Sequence, residues 1–114
     1  MDKDLVAAMA SPLVLAILAE GDSYGYAILK RVRELSDDEI EWSDGMLYPL
    51  LHRLERLDQV HAAWVASPEG RRRRYYGITD RGRSELVHQR RQWATATRTL
   101  GSLWSLPATG AAGA

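Results

Sequence analysis

Four consecutive arginines, Arg71 to Arg74, are the densest chemical signal in this 114-residue sequence. Guanidinium groups keep their charge at any pH a protein tolerates, and their planar forks of N–H donors match phosphate oxygens. Their chemistry is anion binding rather than bond making. On an extended strand Arg71 and Arg73 share one side and Arg72 and Arg74 the other, so at least one pair faces a polyanion. Charge also guards an edge strand against aggregation, but four adjacent arginines exceed that need. A second set of residues shares one helical face: Gly45, Tyr48, Pro49, His52, Arg53 and Arg56, with Met46 beside it. Ser23 and Tyr24 form a third, at the start of a helix whose free N–H groups favour an anion; Tyr24 suits a place in the core equally well. The fourth is apolar and follows one face of a later helix, Leu86, Gln89, Trp93, Ala96 and Leu100, with Met9 from the first helix.

Chemistry that makes or breaks bonds is not foreseen. The sequence has no Cys, which removes disulfides and thiolate metal sites. His52, His61 and His88 fall on separate elements without a carboxylate or second His at i, i+4, so no metal site is expected. No Ser/His/Asp arrangement or glycine-rich phosphate loop is present, and neither an enzyme nor a cofactor is expected. The longest apolar stretch, Leu13 to Ala19, is far shorter than the roughly 20 residues that span a bilayer. The start, Met1-Asp2-Lys3-Asp4, is acidic where a secretory signal is basic. A cytoplasmic protein with no membrane partner is the expectation. Net charge is zero, but it is polarised: residues 1–51 carry four bases against ten acids, a balance of −6, and the remainder eleven bases against five acids, a balance of +6. Binding follows that local field rather than the sum.

The elements that must position these residues read as follows. A first helix starts near Asp4, with Leu5, Met9, Leu13 and Ile17 in register with Val6, Val14 and Leu18; Pro12 bends or divides it, and Gly21-Asp22 closes it. Ser23 caps a second helix with Tyr24, Ala27, Ile28, Val32 and Leu35 on one face. Ser36 to Glu41 is an acidic connector. The third helix, capped by Ser43 or Asp44, has Leu47, Leu50, Leu51, Leu54 and Leu57 in a single stripe, and Pro49 lies in or just past its first turn. Val60 to Ala66 and Arg72 to Ile78 have strand character, with Ser67-Pro68-Glu69-Gly70 as a hairpin loop. Of Tyr75 and Tyr76, one packs beneath the hairpin and the other is partly exposed. Thr79 caps a last helix from about Asp80 to Leu103. Its Leu86, Trp93 and Leu100 are spaced by seven, with Ala96 and Leu103 between or after them, a seam that wants a partner helix.

Three helices, a two-stranded hairpin and a long helix make a mainly α fold with a small β-hairpin wing: a winged helix-turn-helix plus a long C-terminal dimerisation helix. Residues 1–78 form the winged helix-turn-helix domain, 79–104 the dimerisation helix and 105–114 an Ala/Gly-rich disordered tail. In this setting the polar face of the third helix is the surface that reads double-stranded DNA. Arg53 and Arg56 suit guanine edges or phosphates, Tyr48 a phosphate or thymine methyl, and His52 either.

The sequence also resembles the PadR family of bacterial transcriptional regulators, specifically its short members. The matching pieces are Tyr24-Gly25-Tyr26-Ala27-Ile28, Gly45-Met46-Leu47-Tyr48-Pro49-Leu50-Leu51 with Arg53-Leu54-Glu55, Gly70 to Tyr76, and Ile78-Thr79-Asp80-Arg81-Gly82. The resemblance covers about residues 8–104. Met46 departs from the Thr or small polar residue usual there, and Asp58-Gln59 from a usual Gly. The resemblance implies a homodimeric repressor on an inverted-repeat operator, with the third helix in the major groove and the wing at the flanking minor groove. It also implies a planar aromatic ligand that stacks on Trp93 between subunits; a Trp simply packed in the dimer core satisfies the same residues. The rival reading is a winged-helix module that contacts proteins through its hairpin and acidic half. Leu106-Pro107-Ala108-Thr109-Gly110 matches a sortase signal, but with only four residues after it and no membrane span it is read as coincidence or as an added sequence feature.

Overall fold

The computed structural model describes residues 1–105. In chain order it holds α1 (Lys3–Glu20), β1 (Ser23–Tyr24), α2 (Gly25–Leu35), α3 (Asp44–Arg56), β2 (Val60–Ala66), β3 (Arg72–Ile78) and α4 (Asp80–Ser105). The tail beyond 105, including the Leu106 to Gly110 motif, lies outside the described residues.

α1 starts where the Asp2 carboxylate accepts the Asp4 N–H at 2.8 Å, the N-cap role that short acidic side chains favour. Pro12 does not divide it: one helix of 18 residues continues through the proline. Proline removes a single donor, whereas Ala10 before it and Val14, Leu15, Ile17 and Leu18 after it are all buried. Burial of each large side chain of that group contributes about 1.5–3 kcal/mol, and this outweighs the missing bond.

The hairpin has the expected boundaries, with Val60 opposite Ile78 and Ala66 opposite Arg72. Its loop is closed by Ser67, which is itself buried: the Gly70 N–H donates to the Ser67 carbonyl at 2.9 Å and the Arg71 N–H to its hydroxyl at 3.1 Å. A third strand was not foreseen. Ser23 is not a helix cap; with Tyr24 it forms β1, antiparallel to β3, in the sheet order β1-β3-β2. Tyr24 is instead the N-cap of α2, in extended conformation and with no side-chain capping bond. Pairing with β3 engages the backbone of Ser23 and Tyr24 themselves and leaves the first N–H groups of α2 without a side-chain cap.

The sheet's inner face and the three helices enclose one core. Ile28, Leu47, Leu51, Leu54, Val60 and Tyr76 are all but inaccessible. Three stripe positions fall outside it: Leu5 in the first turn of α1, Leu35 at the last residue of α2, and Leu57 just past α3 are about half exposed. α3 ends in a Schellman arrangement, with Gln59 N–H donating to Leu54 O at 2.9 Å and Asp58 N–H to Glu55 O at 3.0 Å. Asp58 there takes φ +60°, the left-handed position where glycine costs least. The acidic connector is anchored rather than loose: Ile40 and Trp42 are buried, and the Ser36 hydroxyl accepts the Ile40 N–H at 2.9 Å.

Thr79 joins the wing to α4. Its hydroxyl donates to Asp58 O at 2.6 Å and accepts the Gly82 N–H at 3.0 Å, and its own N–H donates to Gln59 O at 3.1 Å. The first half of α4 lies against α1, with Leu86 buried and Gln89 Nε2 donating to the Ser11 hydroxyl at 3.3 Å. The second half leaves its own chain: Leu100, Leu103 and Trp104 are exposed. The helix ends at Ser105, two residues beyond the expected Leu103. No helix among the described residues is long and apolar enough to cross a membrane.

Candidate nucleic-acid interface

The Ser43 hydroxyl accepts the Met46 N–H at 3.2 Å and fixes the start of α3. With Leu47, Leu50, Leu51 and Leu54 turned inward, the opposite face is open: Gly45, Tyr48, Pro49, His52, Arg53 and Arg56 are exposed and Met46 is half-buried. The inward stripe is tied to the core and Met46 packs against it, whereas His52, Arg53 and Arg56 point outward and are free to be chosen for a partner.

The wing arginines divide into two kinds. Arg71 and Arg72 are exposed; Arg72 stacks its guanidinium over Trp64 at 5.3 Å. Arg73 lies over the Tyr24 ring at 4.5 Å and reaches Glu69 at only 3.6 Å across solvent, a pair of small energetic weight. Arg74 is committed inward. It bonds Glu55 of α3 at 3.1 Å, lies 5.8 Å from the Trp64 ring and 5.9 Å from that of Tyr76, and buries its Nε. Arg74 therefore braces the wing against α3, a role its place in the arginine run did not reveal. Tyr76 is buried and Tyr75 half-exposed, tilted against Tyr24 with ring centroids 5.3 Å apart.

Tyr24, Tyr48, His52, Arg73 and Arg74 come together around a bowl of about 440 Å3. Sequence reasoning missed four of its other residues, Gly25, Tyr26, Trp64 and Tyr76. The signal for Gly25 is the Tyr-Gly-Tyr string: a Cβ on Gly25 would collide with the Tyr48 hydroxyl, so only glycine lets the tyrosine of α3 rest on the start of α2. Burial pushes the Tyr76 phenol above its ordinary pKa, against the opposing pull of Arg74. Ser23 lies apart from this bowl, beside the α1–α2 turn.

The apolar set is brought together only in part. Met9, Leu86 and Trp93 line an apolar pocket of about 250 Å3 between α1 and α4, with Leu13 and Pro12. Gln89 points away from it to Ser11 and Glu85, and Ala96 and Leu100 lie farther along α4, exposed. Among the described residues no three His, Cys, Asp or Glu side chains are placed to hold a metal ion.

A recognition-type helix with an open polar face beside an arginine-bearing hairpin defines the winged-helix class of DNA-binding regulators. The chain matches the model of the transcriptional regulator PadR-like family over residues 14–88. It is similar to a transcriptional regulator from Clostridium thermocellum (27% identity, 89% of this chain and 98% of that one, TM-score 0.80). A PadR-like transcriptional regulator from Bacillus cereus gives 25% identity over 90% and 97% of the two chains, also with TM-score 0.80. A PadR family regulator from Eggerthella lenta gives 33% identity over 89% and 86%, with TM-score 0.74. The chain belongs to the PadR-like family of transcriptional regulators.

Proposed function

We propose that the protein is a homodimeric repressor that binds an inverted-repeat operator, with α3 in the major groove and the wing at the flanking minor groove. The observation that carries this reading is the open basic surface shared by α3 and the wing. Arg53, Arg56, Arg71 and Arg72 are all exposed, and none has an ion pair among the described residues. Phosphate contacts from such side chains set register, and base contacts from α3 carry the sequence information. Exposed Leu100, Leu103 and Trp104 on α4 support a second copy as their cover, since surfaces of this kind mark interaction sites. The apolar pocket at Trp93 would then lie beside the subunit boundary, where a planar hydrophobic ligand that shifts the two copies releases the operator.

One observation favours the rival, a protein-binding winged helix: Arg73 and Arg74 both have carboxylate neighbours. The Arg73 pair is long and solvated, which leaves that cation available. Titration of the promoter duplex next to the protein's own gene and of an unrelated duplex, each at two salt concentrations, separates the readings. Tight, salt-sensitive preference for the promoter is expected; equal weak binding to both duplexes would refute sequence-specific regulation.

A further inference from the structure

The bowl between the start of α2, the middle of α3 and the wing holds binding chemistry that a duplex leaves unused. Its lining combines two arginines and a histidine with aromatic side chains and has no carboxylate. Arg74 is bonded to Glu55 and Arg73 loosely to Glu69, but other donors that meet there lack acceptors. Tyr24 caps the 11-residue α2 without a side-chain bond, so the first N–H groups and the positive end of that helix are unserved by a cap. Independently, the Tyr76 hydroxyl and Arg74 Nε are buried and have no hydrogen-bond partner among the described residues. Tyr76 is 1% exposed and lines the bowl; its hydroxyl faces the Arg74 guanidinium without a well-formed bond to it, within the electrostatic reach of Tyr48 and of the Glu55 carboxylate behind Arg74. Buried donors without acceptors are uncommon in folded proteins, and these are gathered where an oxyanion would pair with them.

The rim is aromatic. Trp64 remains 55% exposed despite the arginines that flank it. A duplex hides the faces of its bases in the stack, so its backbone satisfies the cations but gives this flat ring nothing to stack on. A free nucleotide carries the same phosphate chemistry with an open base, and single bases stack readily on aromatic side chains. The volume falls in the range of small-molecule sites. We propose that the bowl binds a free nucleoside monophosphate, its phosphate held by Arg73, Tyr48 and Tyr76 at the start of α2 and its base against Trp64, in competition with DNA. The competition rests on the DNA-binding reading; the binding does not.

Thymidine 5′-monophosphate, thymidine and inorganic phosphate are titrated calorimetrically into the full chain, then into its complex with labelled duplex at constant ionic strength. The monophosphate binds and displaces the duplex, and the other two bind at least about tenfold more weakly. Tyr76→Phe, which keeps the ring that fills the core, weakens the monophosphate about tenfold, the loss of one hydrogen bond to a charged group. If that variant does not melt cooperatively, Arg73→Gln serves, with the same loss expected. Salt-sensitive duplex binding without monophosphate binding overturns the proposal and leaves the DNA reading intact. Tyr76-dependent monophosphate binding without duplex binding sinks the DNA reading and upholds the site. Equal binding of inorganic phosphate, or no response to either substitution, overturns the proposal.

Discussion

The division of the wing arginines makes a quantitative prediction for salt dependence. Arg71 is exposed and Arg73 only loosely paired, whereas Arg74 is spent on Glu55. On the proposed reading, replacing Arg71 and Arg73 by Ala removes two phosphate contacts per subunit and four in the proposed dimer. Each contact contributes about 0.9 to the slope of log K against log salt, so the slope becomes shallower by about 3.6. Between 50 and 200 mM salt the wild type should therefore lose roughly 150-fold more affinity than the variant. Arg74→Ala behaves differently: the slope holds, and stability falls by about 0.5–1 kcal/mol for a half-exposed pair between wing and α3. Fluorescence anisotropy with labelled operator at four salt concentrations reads the slopes, and urea melts read the stability. If Arg74→Ala flattens the slope as much as the double substitution does, the inward assignment of Arg74 is wrong. An unchanged slope in the double variant would remove the wing from the phosphate interface altogether.

Asp58→Gly should raise the urea midpoint without changing the slope, a gain of about 0.5–1 kcal/mol, because glycine relieves the φ of +60° that closes α3. Gly82→Ala should destabilise by about 1–3 kcal/mol in the same assay, since its Cβ would press into the carbonyl oxygen of Gln59. The Tyr76 phenol has a raised pKa in the fold, so the unfolded chain ionises first. Stability at this site is present below the ordinary tyrosine pKa of about 10 and lost as pH rises through the folded value. Tyr76→Phe should flatten that alkaline loss in thermal melts taken across the range. Trp93→Ala should loosen the dimer in sedimentation or abolish binding of planar hydrophobic ligands in fluorescence titration; no change in either would place the seam elsewhere.

Much of the fold was legible because its signals are local. Residues of strand character on either side of Pro68 and Gly70 bounded the hairpin, and the leucine spacing of α3 set which face is open. β1 was not legible: two residues make a strand only through their pairing with β3, and Ser23 taken alone has the chemistry of a helix cap. Trp42 and Ile40 were hidden in the same way, as isolated apolar residues without period in an acidic connector. The basic surface could be read from residue types, but the diversion of Arg74 to Glu55 could not, because those residues lie 19 positions apart and only the packing of wing on helix brings them together. Tyr76 was half legible. Alternation required one tyrosine to be buried, and nothing in the string foretold that its hydroxyl would stay unpaired.

The Thr79 joint has a mechanical consequence. Two hydrogen bonds from Thr79 tie the turn that ends α3 to the start of α4, a third caps α4 from the same hydroxyl, and Gly82 lets the two backbones meet without a side chain between them. The 26 residues of α4 make a lever about 39 Å long at 1.5 Å per residue. A tilt of about 10° at the joint sweeps its far end through about 7 Å at that length. With the hinge clamped to the reading helix there is little slack between them. The separation of two such helices in a pair would be set like the jaws of a calliper, by the angle at which the long arms cross.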